Sequence, residues 1–296
     1  MPEVLIISGK GGTGKTSLTG AFAHLAENKI ICDLDVDAPD LHLLLHPQDL
    51  EVNQFYSGHQ AEIDPERCIG CGLCAEKCRF EAIDQTEDGL YAVNELKCEG
   101  CKLCVTLCPE EAVLFPVRHC GHWQISETRL GPMVHAQLFP GEENSGRLVA
   151  LLRGRARELS QEKGLKLILS DGPPGIGCPV ISSMSNLDLA VIVTEPTPSG
   201  RHDLERVVEL CRHFKVPAGV IVNKHDLNLA QTAAIEDYCT SQGLEVLACL
   251  PFDPAMTEAM VKGLVITEYS GNGLSGALQA AWQRIEQMLG LSGAEQ

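Results

Sequence analysis

The chain has 296 residues, with 23 lysines and arginines against 40 aspartates and glutamates, for a formal net charge of −17. So large an acidic surplus repels phosphate backbones and anionic lipid, which disfavours nucleic-acid partners and a stable membrane anchor. No apolar run approaches the roughly 18 residues of a membrane span, and the chain enters Val4-Leu5-Ile6-Ile7 without a signal-peptide pattern, so a cytoplasmic protein is expected.

In chain order, β-branched apolar runs predict strands at 4–8, 30–34, 165–170, 189–194, 218–223 and 246–250. Helical spacing predicts helices at 15–27, 145–163, 202–214, 229–242 and 274–289. This alternation is that of βα units feeding a parallel sheet, an α/β fold. Between about 64 and 116 the rhythm breaks into Cys, Gly and charged residues, so an inserted domain is placed at 61–117, with the α/β domain formed by 1–60 and 118–296. Inside the insertion Cys68, Gly70, Cys71, Leu73, Cys74 and Cys78 recur thirty residues later as Cys98, Gly100, Cys101, Leu103, Cys104 and Cys108, implying two copies of one unit about a pseudo-twofold axis.

Ser8-Gly9-Lys10-Gly11-Gly12-Thr13-Gly14-Lys15-Thr16-Ser17 follows a predicted strand and opens a predicted helix, the setting of a Walker A phosphate loop. Backbone N–H groups of Gly11, Gly12, Thr13 and Gly14 would wrap the phosphates of a nucleotide. Lys15 would reach the β- and γ-phosphates, and Thr16 would ligate Mg²⁺. With its additional Lys10, the string resembles the deviant Walker A loop of the MinD/ParA/Mrp and nitrogenase iron protein group. The resemblance implies a P-loop ATPase that dimerises on ATP, with Lys10 reaching the partner's phosphates. It also implies that Asp37, in Cys32-Asp33-Leu34-Asp35-Val36-Asp37, handles the attacking water and that Asp35 supports Mg²⁺. Asp171, in Ser170-Asp171-Gly172-Pro173-Pro174-Gly175, would hold Mg²⁺ through water. Catalysis is thus expected from Lys10, Lys15, Asp37 and Asp171. Asn223-Lys224-His225-Asp226 fits a guanine-reading pattern, whereas the resemblance assigns Asn223 to adenine. ATP is the expected nucleotide, with Lys224, Pro251 and Asp253 as further base-pocket candidates.

Fourteen cysteines in a reducing compartment point to metal rather than disulfides. C-x2-C-x2-C-x3-C occurs twice, the second copy followed by Pro109 and the first by Arg79. This resembles the bacterial ferredoxin that holds two [4Fe-4S] clusters. The resemblance implies an inserted α+β ferredoxin-like domain with crossed ligand sets. One set is Cys68, Cys71, Cys74 and Cys108, and the other is Cys98, Cys101, Cys104 and Cys78. Zinc is the alternative metal, but its sites usually pair two short CxxC elements across a longer loop.

Cys178 stands seven residues after Asp171, the offset at which the nitrogenase iron protein carries a cysteine that ligates a cluster shared between subunits. The plainer expectation is a small buried thiol at a helix start. His119-Cys120-Gly121-His122 offers metal-capable side chains, with a loop as its plainer reading. The last helix lacks the basic face of MinD's membrane anchor. The expected function is an ATPase that couples dimer closure to electron transfer toward a redox partner. The alternatives are a metallocentre-assembly or cluster-carrier protein and a MinD-like spatial organiser.

Overall fold

The structure is a computed structural model that describes residues 1–142, 145–269, 271 and 273–291. Its chain divides into two compact units, one of Met1–Asn53, His122–Leu138 and Ser145–Gln296, the other of Gln54–Gly121 and Phe139–Asn144.

The first unit begins with β1 (Glu3–Ser8), α1 (Lys15–Leu25), β2 (Lys29–Asp33) and α2 (Leu41–Leu45). β3 (Gln48–His59) then carries the chain across the unit boundary. The second unit holds β4 (Glu62–Ile63), α3 (Leu73–Glu76), β5 (Ile83–Gln85), β6 (Tyr91–Val93), α4 (Leu103–Leu107) and β7 (Val113–Leu114). β8 (Val117–Thr128) returns to the first unit, followed by β9 (Gly131–Leu138), α5 (Ser145–Lys163), β10 (Leu167–Pro174) and α6 (Cys178–Met184). The remaining elements are β11 (Leu189–Thr194), α7 (Pro198–Phe214), β12 (Ala218–Asn223), α8 (Leu229–Gln242), β13 (Glu245–Leu250), α9 (Pro254–Val261), α10 (Ile266–Tyr269) and α11 (Gly273–Met288).

The main sheet runs β13-β12-β11-β1-β10-β2-β9-β8-β3, and the pairs from β13 through β9 are parallel. β1, β2, β10 and β11 are buried on both faces because helices cover both sides, so their apolar residues appear in the sequence as continuous runs rather than alternating ones. α11 buries Leu274, Leu278, Ala281, Trp282 and Ile285, with Trp282 tilted against Phe22 of α1 at 5.5 Å between ring centroids. Strand order reverses around β1, and the loops after β1, β2, β10 and β12 leave the carboxyl ends of neighbouring strands. That edge is where an open α/β sheet binds ligands.

Three strands of the main sheet lie outside the expected set. β3 is exposed on both faces from Gln48 to Val52 and shows no period-two apolar pattern, and β8 and β9 form an added hairpin. His119-Cys120-Gly121-His122 therefore stands within β8, not in a loop. Neighbouring strands, rather than local composition, fix it there.

In the second unit each two-stranded sheet takes one strand from each thirty-residue repeat. β4 of the first pairs with β7 of the second, and β5 of the first pairs with β6 of the second. That exchange is what a twofold relation between the repeats produces.

Candidate functional site

The loop after β1 turns into α1 through Gly14, whose φ of +87° is left-handed. A side chain there would also stand 2.5 Å from Asn223 Nδ2. Only glycine meets both demands, and it lets Asn223 at the end of β12 donate to the Thr13 carbonyl at 2.8 Å. The resulting cavity, of about 750 Å³, is lined by Gly11 to Ser17, Asp35, Asp37, Asn223 and Lys224, with Met256, Thr257 and Met260 of α9 opposite. Its size suits a nucleotide-sized ligand.

Behind the loop, charge is concentrated. Asp33 of β2 and Asp171 of β10 are cross-strand neighbours in the parallel register, and both are buried. Lys15 Nζ is 2.8 Å from Asp171 Oδ2 and 3.6 Å from Asp35 Oδ2. Thr16 and Thr19 each donate to Asp171 at 2.7 Å. One buried lysine thus faces three carboxylates. Burial opposes its charge, but Asp171 and Asp35 outweigh burial and hold its pKa above the usual lysine value. Burial, with Asp171 alongside, pushes Asp33 well above the usual carboxylate range. Burial lifts Asp35 to about 6 against the pull of Lys15, and it raises Asp37 as well.

Asp33 Oδ2 is buried without a hydrogen-bond partner. An oxygen-only set of Thr16, Asp35 and Asp171, short of positive charge, has the chemistry that Mg²⁺ requires.

Lys10 does not line the cavity. Its Nζ donates to Thr197 Oγ1 at 3.3 Å and Ser199 Oγ at 3.2 Å and lies 3.7 Å from Glu195. Glu195 also receives Lys224, whose Nζ reaches the Gly12 carbonyl at 3.4 Å. Asp226 is likewise outside the cavity and accepts the Phe252 N–H at 2.7 Å. Pro251 and Asp253 do not line it either, Asp253 serving as the N-cap of α9 by accepting from Ala255 N–H at 2.9 Å. Sequence reasoning assigned no role to Asp33, Thr19, Glu195 or the α9 methionines. Thr19 was findable, since it follows Lys15 by four residues on one helix face.

In the second unit the eight motif cysteines surround two small cavities. Cys68, Cys71, Cys74 and Cys108 line one, and Cys78, Cys98, Cys101 and Cys104 line the other. Each set draws three members from one repeat and the fourth from the other. All eight are free thiols, and Ala82 N–H and Ala112 N–H point at Cys78 Sγ (3.4 Å) and Cys108 Sγ (3.2 Å). Among the described residues no three His, Cys, Asp or Glu side chains converge closely enough to hold a single metal ion.

The family model for the CobQ/CobB/MinD/ParA nucleotide binding domain matches residues 4–287. The chain belongs to this family. An uncharacterized protein of Methanocaldococcus jannaschii is 30% identical over 291 residues, covering 97% of both chains. A cytosolic Fe-S cluster assembly factor of Danio rerio, nubp2, is 23% identical over 280 residues, covering 88% of this chain and 84% of its own. The septum site-determining protein MinD of Pyrococcus horikoshii, solved with Mg-ADP, shares the fold over 99% of both chains at a TM-score of 0.59 and 18% identity. The MinD-like parallel-sheet P-loop fold expected from the deviant Walker A loop is thus the fold of this CobQ/CobB/MinD/ParA chain.

Cys178 differs from its plainer expectation, for it is an exposed thiol at the first residue of α6. The Gly175-Ile176-Gly177 approach leaves that position uncovered, while Val180, Ser183 and Met184 further along the helix are buried. No helix among the described residues is long and apolar enough to cross a membrane.

Proposed function

We propose that this family member is a Mg²⁺-dependent ATPase that closes as a homodimer on ATP and couples closure to electron transfer through two [4Fe-4S] clusters. The observation that carries the reading is the crossed composition of the two cysteine cavities, within a chain that also has a phosphate loop backed by buried carboxylates. Cys68, Cys71, Cys74 and Cys108 would hold one cluster, and Cys98, Cys101, Cys104 and Cys78 the other. When bound, each supplies a one-electron store.

At the nucleotide site the backbone of Gly11 to Gly14 cradles the phosphates, and Lys15 moves from Asp171 toward them. Thr16, Asp35 and Asp171 would hold Mg²⁺, which would supply charge neutralisation at the transferring phosphoryl group. Asp37 on the cavity wall orients water. Lys10 leaves Thr197 and Ser199 and meets the phosphates held by a second copy, adding a cation where negative charge develops. Asn223 and α9 face the base. ATP is favoured over GTP because Asp226, whose Oδ1 accepts from Phe252 N–H, does not line the cavity.

The test is anaerobic purification with iron and sulfide counting, EPR, and hydrolysis assays on ATP and GTP. The reading expects about eight irons per chain and ATP-selective hydrolysis. Zinc in the cysteine sites or clear GTP preference would overturn it. A second reading, metallocentre assembly with the clusters as cargo, is favoured by the name of the nubp2 relative. Transfer of iron to an apo-protein would support that reading, and tight retention would count against it.

A further inference from the structure

The thirty-residue repeat supplies an internal control for the two cysteine cavities. Cluster potentials respond to solvent exposure, hydrogen bonds to sulfur and nearby charge. Exposure is matched, since Cys71 and Cys101 are exposed at equivalent positions and the other six cysteines are half-buried. Hydrogen bonding is matched as well, with one backbone N–H on Cys78 and its counterpart on Cys108.

Charge is not matched. Within two residues of Cys68, Cys71, Cys74 and Cys108 the chain places one cation, Arg67, against three acids, a net of −2. Within two residues of Cys98, Cys101, Cys104 and Cys78 it places four cations against two acids, a net of +2. Lys77 of that group is paired with Glu76 at 2.7 Å, which leaves Arg79, Lys97 and Lys102 as the cations that distinguish the two sites. The lining agrees. Glu110 is the charged residue on the first cavity's wall, whereas Lys102 joins Glu99 on the second.

Lys102 is also conformationally unusual. Its φ is +68°, in the left-handed region, and its repeat counterpart Gly72 has φ +76°. Position 72 is closed to a side chain because an added Cβ would stand 2.8 Å from the Tyr91 hydroxyl. At position 102 a lysine occupies the same strained backbone, with its Nζ 5.9 Å from the centre of the Phe115 ring, another wall of the second cavity. Strain of this kind persists where a side chain serves the site.

We propose that Lys102, assisted by Arg79, makes the Cys78, Cys98, Cys101 and Cys104 site the higher-potential of the two, so that the first electron to enter the protein resides there. The inference rests on the two-cluster reading above. A cation beside a cluster stabilises the form carrying the additional electron, and the sites match in cysteine exposure and in backbone hydrogen bonds to sulfur. The test is EPR-monitored redox potentiometry on the anaerobically purified full-length protein without nucleotide, with dithionite giving one electron to each cluster. Wild type is compared with Lys102→Gly, which restores the first repeat's residue on a backbone suited to glycine, and with Arg79→Gln.

Wild type is expected to reduce in two separate one-electron steps. In Lys102→Gly the upper step should fall about tenfold in its reduced-to-oxidised ratio, about 59 mV for a one-electron couple, while the lower step stays in place. Movement of the lower step, equal movement of both or movement of neither overturns the proposal. A chain that binds no iron sinks the two-cluster reading itself. About eight irons with an unmoved upper step sinks the assignment of Lys102 alone.

Discussion

Lys15 is the counter-ion of a buried acidic cluster, apart from its proposed role as a phosphate ligand. Its removal strands Asp171 beside Asp33 and Asp35 with Thr16 and Thr19 as the side-chain donors left to it, and breaking a buried pair from one side costs about 3–5 kcal/mol. Lys15→Ala should therefore lower the thermal midpoint of the nucleotide-free protein as well as abolish nucleotide binding. An unchanged melt would show that the carboxylates are already neutral. Asp35 has its own pH signature. Its pKa of about 6 lies above the value of an unfolded chain, so its contribution to stability is complete below about pH 4 and is lost as pH rises through about 6. Asp35→Asn should stabilise the nucleotide-free protein at pH 7, with the gain shrinking toward pH 5 in urea melts. On the proposed function activity runs the other way, because the carboxylate would be the Mg²⁺-binding form, and ATP turnover should fall as pH drops through about 6. The sequence displays Asp35, Asp37 and Asp171 at strand ends, where their chemistry is legible. Asp33 is visible only as one more aspartate until the β2–β10 register places it beside Asp171.

Among the elements, the legible ones are those whose burial is two-sided or whose faces are periodic. β11, β12, α5 and α8 fall on their expected residues. β3, β8 and β9 were illegible because β3 is a solvent-exposed edge and pairing, not composition, makes the other two strands. α6 starts at Cys178, where the plainer reading put a helix start, but the glycine-rich turn before it leaves that thiol exposed rather than buried. The two repeats make an element-scale prediction. Gly72→Ala meets both a left-handed φ and the Tyr91 hydroxyl, and should cost more than about 1 kcal/mol. Lys102→Gly relieves the same backbone and should leave stability unchanged or slightly raised. Paired thermal melts check the contrast, and equal losses would contradict the strain argument. At the start of α7, Thr197 accepts from Gly200 N–H at 2.9 Å and also from Lys10 Nζ. Thr197→Ala should cost about 1 kcal/mol through the lost cap.

At the scale of the whole molecule, the family and its parallel-sheet fold were readable from one loop, because Lys10 and Lys15 flank glycines between a strand and a helix. What the loop could not display is where Lys10 rests, since Glu195, Thr197 and Ser199 lie more than 180 residues away in sequence. If Lys10 serves a second copy, Lys10→Ala should still bind nucleotide as a monomer but fail to dimerise with ATP, read by light scattering on a sizing column. Dimerisation equal to wild type would remove that role. The proposed coupling between nucleotide and clusters has a chain-level motive, for α2 and β3 follow the Asp35 to Asp40 loop directly, and β3 leads into the cysteine-bearing unit. The most direct test is the midpoint potentials of the wild-type clusters, with the rate of electron delivery to an acceptor, measured with Mg-ATP, with Mg-ADP and without nucleotide. A shift in potential or rate specific to Mg-ATP is the predicted result. Identical values in all three states would contradict an ATPase that drives electron transfer.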